Sequence, residues 1–77
     1  MTQNVEFDYS KLRGRIVEVL GSIGKLAEEM GISIVALSRK LNNKTDFSTC
    51  DILLICQILD IPKEEIGSYF YLEKIVE

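Results

Sequence analysis

Seventy-seven residues with 47% apolar content and no Trp make one small domain, of a size that buries only about 60–65% of the surface its unfolded chain exposes, so the core has to be compact and helical. The net charge is −3, from nine Lys and Arg against twelve Asp and Glu, and there is no His; the commonest general base near neutral pH is missing, so an enzyme is not expected. No apolar run reaches the ~18 residues that cross a membrane, and Met1 to Asp8 carries no basic group and no hydrophobic stretch, so no signal peptide is read there and a cytoplasmic location is expected.

Residues 1–6 show no periodicity and read as a loose N-terminal arm. From Phe7 the chain becomes patterned. Asp8 or Ser10 caps a first helix with a stripe of Leu12, Ile16, Val19 and Leu20, leaving Lys11, Arg13 and Arg15 on its other sides. Gly14 costs that helix about 1 kcal/mol against Ala, which points to a close approach there, by another helix or by a phosphate. Gly21 ends it.

Ser22 caps the second helix, where Ile23, Leu26, Ala27 and Met30 recur at three- and four-residue spacing, and Gly31 supplies the positive φ that terminates it. Ser33 caps a third helix, buried along Leu37 and Leu41, with Arg39 and Lys40 turned away from that stripe. Asn42 to Asp46 is a polar link, and Phe47 anchors it to the core. Ser48 and Asp51 have capping-box spacing and open the most apolar segment of the chain; between Ile52 and Leu59 only Gln57 is strongly polar. A helix apolar nearly all round belongs at the centre of the bundle, touched by every other helix, with Leu54 and Ile55 receiving Leu37. Asp60-Ile61-Pro62 breaks it. A fifth helix begins at Pro62, favoured by Glu64 and Glu65 in its first turn, with Ile66, Tyr69 and Phe70 facing inward. Beyond Tyr71 the pattern fits either more helix or a strand, and the apolar tail over 72–77 suits a dimer contact or a return to its own core.

Little in this pattern carries chemistry. Cys50 and Cys56 lie six apart on one helix, where ~100° per residue puts them on different faces; they read as buried thiols acting as small hydrophobes, and with no His there are too few ligands for zinc. Glu28-Glu29 and Glu64-Glu65 are adjacent pairs that point in different directions on a helix. The spacing of Gly14, Gly21, Gly24 and Gly31 fits no phosphate-cradling loop. No metal, cofactor or small-molecule ligand is expected.

The charge is unevenly placed. Between Lys11 and Lys44 there are seven basic residues and three acidic, a net of +4; the remaining positions hold two basic and nine acidic, a net of −7. A basic segment over the first three helices gives nucleic acid a place to approach in a chain that is acidic overall.

Ala27, Gly31 four residues on and Leu37 six further, within Gly31-Ile32-Ser33 and Leu37-Ser38-Arg39-Lys40-Leu41-Asn42, resemble the helix-turn-helix of the Cro/repressor family of phage and bacterial regulators. Phe7 to Gly14 likewise resembles the opening of small phage-encoded helix-turn-helix proteins. The resemblance covers residues 7–71. It implies an all-α, five-helix Cro/repressor-like bundle with a helix-turn-helix formed by helices 2 and 3, binding duplex DNA as a homodimer to regulate transcription. It places the third helix in the major groove, with Ser33, Ile34 and Val35 and then Ser38 and Arg39 toward base edges. Lys25 and the amides at the second helix's N-terminus would meet phosphate where relatives often carry Gln and this chain has Ile23, and Lys40, Asn42, Asn43 and Lys44 would grip the backbone further along. Ile34 and Val35 can touch only thymine methyls, a departure from the Gln, Ser or Thr habitual there. The same two residues fit an alternative, the fold used as a protein-binding module without DNA.

Overall fold

The computed structural model describes residues 5–74. Five α-helices follow one another: α1 (Ser10–Leu20), α2 (Ile23–Met30), α3 (Ile34–Leu41), α4 (Thr49–Leu59) and α5 (Ile66–Phe70), the last entered through one turn of 3-10 helix, Lys63–Glu65. The fold class is all-α, a five-helix bundle, as the sequence indicates. Their boundaries follow from the caps. The side chains of Ser22, Ser33 and Ser48 each accept a backbone N–H, from Lys25, Ala36 and Asp51 respectively, and Asp51 returns the bond to the Ser48 N–H, completing a capping box. Gly21 at φ 92° and Gly31 at φ 73° end α1 and α2 in the left-handed region, where a Cβ is strained. At the first helix the expected cap is only half right: Asp8 Oδ1 accepts the Ser10 N–H at 2.8 Å, but Tyr9 occupies the N-cap position without a side-chain bond of its own.

The core joins Leu12 and Ile16 of α1, Leu26 and Ala27 of α2, Leu37 and Leu41 of α3, Ile52, Ile55 and Leu59 of α4, and Tyr69 and Phe70 of α5. α2 packs on both α1 and α3, so Ala27, 2% exposed, sits where a larger side chain would push them apart. Phe47 holds the link after α3 to this core through edge-on contacts with Tyr9 and Phe70, at 5.3 and 5.4 Å between ring centres.

Several expectations need correction. α4 is not an all-round buried centre: Leu53 and Leu54 are 48% and 37% exposed, and its packing is chiefly on α1 and α2. Ile55 is fully buried and Leu54 is not, and α3 is not among the main packing partners of α4, so the expected seat for Leu37 on Leu54 and Ile55 is not what holds α3. Cys50 is exposed in the first turn of α4 and only Cys56 is buried, where desolvation raises its thiol pKa. On α1, Val19 stands 42% exposed, outside the buried stripe, and nothing approaches within 4 Å of where a Gly14 Cβ would stand.

The two ends of the described chain meet. After α5 the backbone extends and pairs antiparallel with the N-terminal segment through a Phe7–Glu73 bridge. The Asp8 N–H donates to Leu72 O at 2.7 Å and the Lys74 N–H to Glu6 O at 2.8 Å. Glu6, placed in the loose arm by its lack of pattern, is thus paired, and of the two tail readings the extended one holds as far as Lys74; the rest of the arm, 1–4, and of the tail, 75–77, lies outside the described residues.

Candidate functional site

The outward side of the α2–α3 pair carries most of the residues singled out by sequence. Gly31, Ile32 and Ser33 form the connection between the helices, with the Ile32 N–H donating to Ala27 O at 3.0 Å. Ile34 and Val35 open α3 and are 55% and 65% exposed. Ile34 also leans on α2, its Cδ1 reaching to 3.4 Å from where a Cβ on Gly24 would stand, so the missing side chain at Gly24 lets α3 seat closely. Ser33 spends its oxygen on the Ala36 N–H at 3.0 Å, which leaves the hydroxyl proton available to an acceptor outside.

Further along α3 the polar side chains are engaged with the protein itself. Asn42 donates to Ser38 Oγ at 3.3 Å and accepts from Arg13 Nη2 at 3.0 Å. Asn43, at φ 61°, clasps the backbone of Phe7 from both sides, its Oδ1 accepting the Phe7 N–H at 2.9 Å and its Nδ2 donating to the Phe7 carbonyl at 3.0 Å. Lys40 makes an ion pair with Asp51 at 3.1 Å and donates to Asp46 O at 3.0 Å. These bonds tie the end of α3 to the N-terminal segment and to the start of α4.

Charge on this face is correspondingly selective. Lys25 pairs with Glu28 one turn on at 3.5 Å, both side chains well exposed, an arrangement that a phosphate can displace cheaply. Arg39 and Lys44 make no side-chain hydrogen bond or ion pair among the described residues, and both are exposed. Lys11 and Arg15 point elsewhere: Lys11 lies 4.5 Å from the Tyr69 ring centre and bonds Ser68, while Arg15 donates twice to Leu59 O, at the end of α4, and pairs with Glu18. The +4 of the basic segment therefore reduces at the α3 face to Arg39, Lys44 and the loosely held Lys25.

Sequence reasoning missed Arg13 at this face. It donates to Leu41 O at 3.4 Å as well as to Asn42, bracing the C-terminal end of α3 from α1. No local pattern could reveal it, because its partners are 28 and 29 residues away. Among the described residues no group of three or more His, Cys, Asp or Glu could hold a metal ion, and no helix is long and apolar enough to cross a membrane.

Residues 5–73 match the family described as "Protein of unknown function (DUF739)". Among solved structures, the chain is similar to the modulator of repression (MOR) of the temperate bacteriophage TP901-1 from Lactococcus lactis, with 35% identity and a TM-score of 0.76 over 84% of this chain and 88% of that one. None of the curated proteins matches.

Proposed function

Since the chain belongs to the DUF739 family, and on the strength of its likeness to a phage modulator of repression, we propose that it is a phage-type regulator whose α2–α3 pair docks on duplex DNA as a Cro/repressor-type helix-turn-helix. The observation that carries this is the exposed face of α3: its leading end bears the exposed Ile34 and Val35, and two cations without a side-chain partner among the described residues, Arg39 and Lys44, follow. With α3 in the major groove, Arg39 offers guanine two parallel bonds, Ile34 and Val35 offer apolar contact to thymine methyls, and the Ser33 hydroxyl donates to a base or phosphate acceptor. Lys44 and the α2 N-terminus with Lys25 hold phosphates. One base-reading Arg supplies little discrimination, so two copies would act on a two-fold site with half-sites about 34 Å apart. The tail is our candidate for joining them, since Leu72 stays 49% exposed after its carbonyl has accepted the Asp8 N–H of the chain's own N-terminal segment, and Tyr71 before it is 56% exposed.

Titrating promoter DNA from the chain's own genomic neighbourhood at several salt concentrations tests the proposal. Two to three phosphate contacts per copy correspond to a log–log salt slope of about −2 to −3 per copy. Absence of binding at about 50 mM salt, where counterion release favours even weak phosphate contacts, would overturn it.

A second reading is favoured by a specific observation. Ile34 and Val35 are more than half exposed at the head of α3, while Ser38, Lys40, Asn42 and Asn43 bond within the protein. An apolar tip with few unengaged polar neighbours suits a protein surface, and modulating repression through a protein partner needs no DNA contact. On this reading Ile34→Asp or Val35→Asp abolishes the partner interaction, and DNA affinity is absent in the parent chain as well.

A further inference from the structure

Five aromatic rings, Ile52 and one carboxylate line a cavity of about 300 Å³. The rings are those of Phe7, Tyr9, Phe47, Phe70 and Tyr71; Phe70 and Tyr9 are buried, while Tyr71 and the carboxylate-bearing Asp46 are exposed. Two pairs of these rings meet edge to face, Phe7 with Tyr71 at 6.1 Å and 76° and Tyr9 with Phe47 at 5.3 Å and 80°, while Phe7 and Tyr9 are tilted at 46°. Ring faces carry the negative lobe of the aromatic quadrupole, which attracts cations. The lining also offers oxygens that can accept from a cation. Neither the Asp46 carboxylate nor the Tyr9 hydroxyl has a hydrogen-bond partner among the described residues, and the Asp46 charge, after burial, helps push the Tyr9 phenol above its usual pKa. Lys40, the cation nearest in the bonding network, reaches only the Asp46 backbone carbonyl and is paired to Asp51.

We propose that this cavity, lined by Phe7, Tyr9, Phe47, Phe70 and Tyr71 together with Asp46, receives an arginine side chain of a protein partner. Its volume suits one long side chain, not a helix. An uncharged apolar occupant would cover a carboxylate and a hydroxyl without bonding either, at a desolvation cost that argues against it. A guanidinium is planar and weakly hydrated, stacks on ring faces, and has enough donors for both the Asp46 carboxylate and the Tyr9 oxygen; a lysine ammonium gives up more hydration and cannot stack. Two of the walls, Phe7 and Tyr71, stand on the segments that pair at the chain's ends, so an arginine seated between them also holds those segments together.

The test is an NMR titration of the full chain with N-acetylarginine amide, and with N-acetylcitrulline amide as its uncharged isostere. The arginine derivative should shift the Tyr9, Phe47 and Tyr71 resonances saturably while the citrulline derivative does not. Asp46→Asn should weaken the response about threefold or more, and Tyr71→Leu about fivefold, both at exposed positions that leave the fold intact by circular dichroism. An equal response to citrulline, unchanged affinity in both variants, or shifts centred elsewhere would overturn the proposal. So would tetramethylammonium binding as tightly as the arginine derivative, since the site would then take any compact organic cation.

Discussion

Three cations within six residues, Arg39, Lys40 and Lys44, look equivalent in sequence and are not equivalent in the fold. Lys40 is three-quarters or more buried and bound to Asp51 and Asp46, so Lys40→Ala should act on stability and leave an unpaired carboxylate at the α4 cap. Arg39→Ala should leave the urea midpoint within experimental scatter, while costing about 1–3 kcal/mol on a preferred DNA site and relaxing the preference there. Lys44→Ala should weaken all sequences alike and flatten the salt slope by about one unit. Measuring unfolding and DNA affinity on all three variants separates these roles, and a Lys40→Ala protein of parental stability would show that the ion pair contributes nothing. Such distinctions were outside the reach of sequence, because the partner of Asn43 lies 36 residues away and those of Lys40 depend on how the link after α3 folds back on α4, whereas the burial of Leu37 was readable from its spacing to Leu41. Leu37, fully buried, should lose about 2–5 kcal/mol as Leu37→Ala.

The serine-capped starts of α2, α3 and α4 and the glycine stops were the most legible part of the chain, since each is decided by residues within a few positions of the backbone concerned, whereas the N-caps of α1 and α5 make no side-chain bond. The Ser22, Ser33 and Ser48 caps and the Gly21 and Gly31 stops all stand where composition places them. α4 was misread for the opposite reason. A continuous apolar run reports that a helix prefers burial, not how many neighbours the chain has to bury it with, and 77 residues cannot surround α4, so Leu53 and Leu54 remain at the surface. The α4 cap also gives stability a pH dependence. Burial works to raise the Asp51 pKa, but the Ser48 backbone N–H, Lys40 and the Ser48 hydroxyl together hold it below its usual 3.8. A carboxylate lowered in the folded state stabilises fully above its unfolded pKa and loses that contribution as pH falls through the folded one. The loss should therefore begin near pH 3.8 and complete below it. Asp51→Asn should reduce stability at neutral pH and flatten this acid limb, and Ser48→Ala should cost about 1 kcal/mol; an unchanged acid limb in Asp51→Asn would assign the acid sensitivity to other carboxylates.

At the scale of the whole molecule, the two ends of the described chain and the end of α3 form one connected structure. Asn43 holds Phe7, the Phe7 segment pairs with 72–74, and Tyr71 packs on the Phe7 ring. Among the described residues, removing Leu72 to Glu77 deletes the Asp8–Leu72 and Lys74–Glu6 backbone bonds and the exposed Lys74–Glu6 ion pair, leaving Tyr71 and all the buried side chains named above in place. Two backbone bonds are worth roughly 1–3 kcal/mol net and the ion pair close to nothing. Against the roughly 4–12 kcal/mol expected for 77 residues, that loss leaves the truncated chain folded. Whether it stays assembled is a separate matter, because the tail's outward side chains are the proposed joint between two copies on DNA. The truncated protein should sediment as a monomer where the parent sediments as a dimer, and tight binding to a two-fold site should disappear while weak, salt-sensitive binding by each single α3 persists. Sedimentation with and without DNA, at low and moderate salt, reads all three quantities. A parent chain already monomeric on its DNA would rule out the tail as the joint, and a truncated dimer with undiminished site affinity would move the contact to another face, for which the exposed Leu53 and Leu54 of α4 offer the next apolar surface.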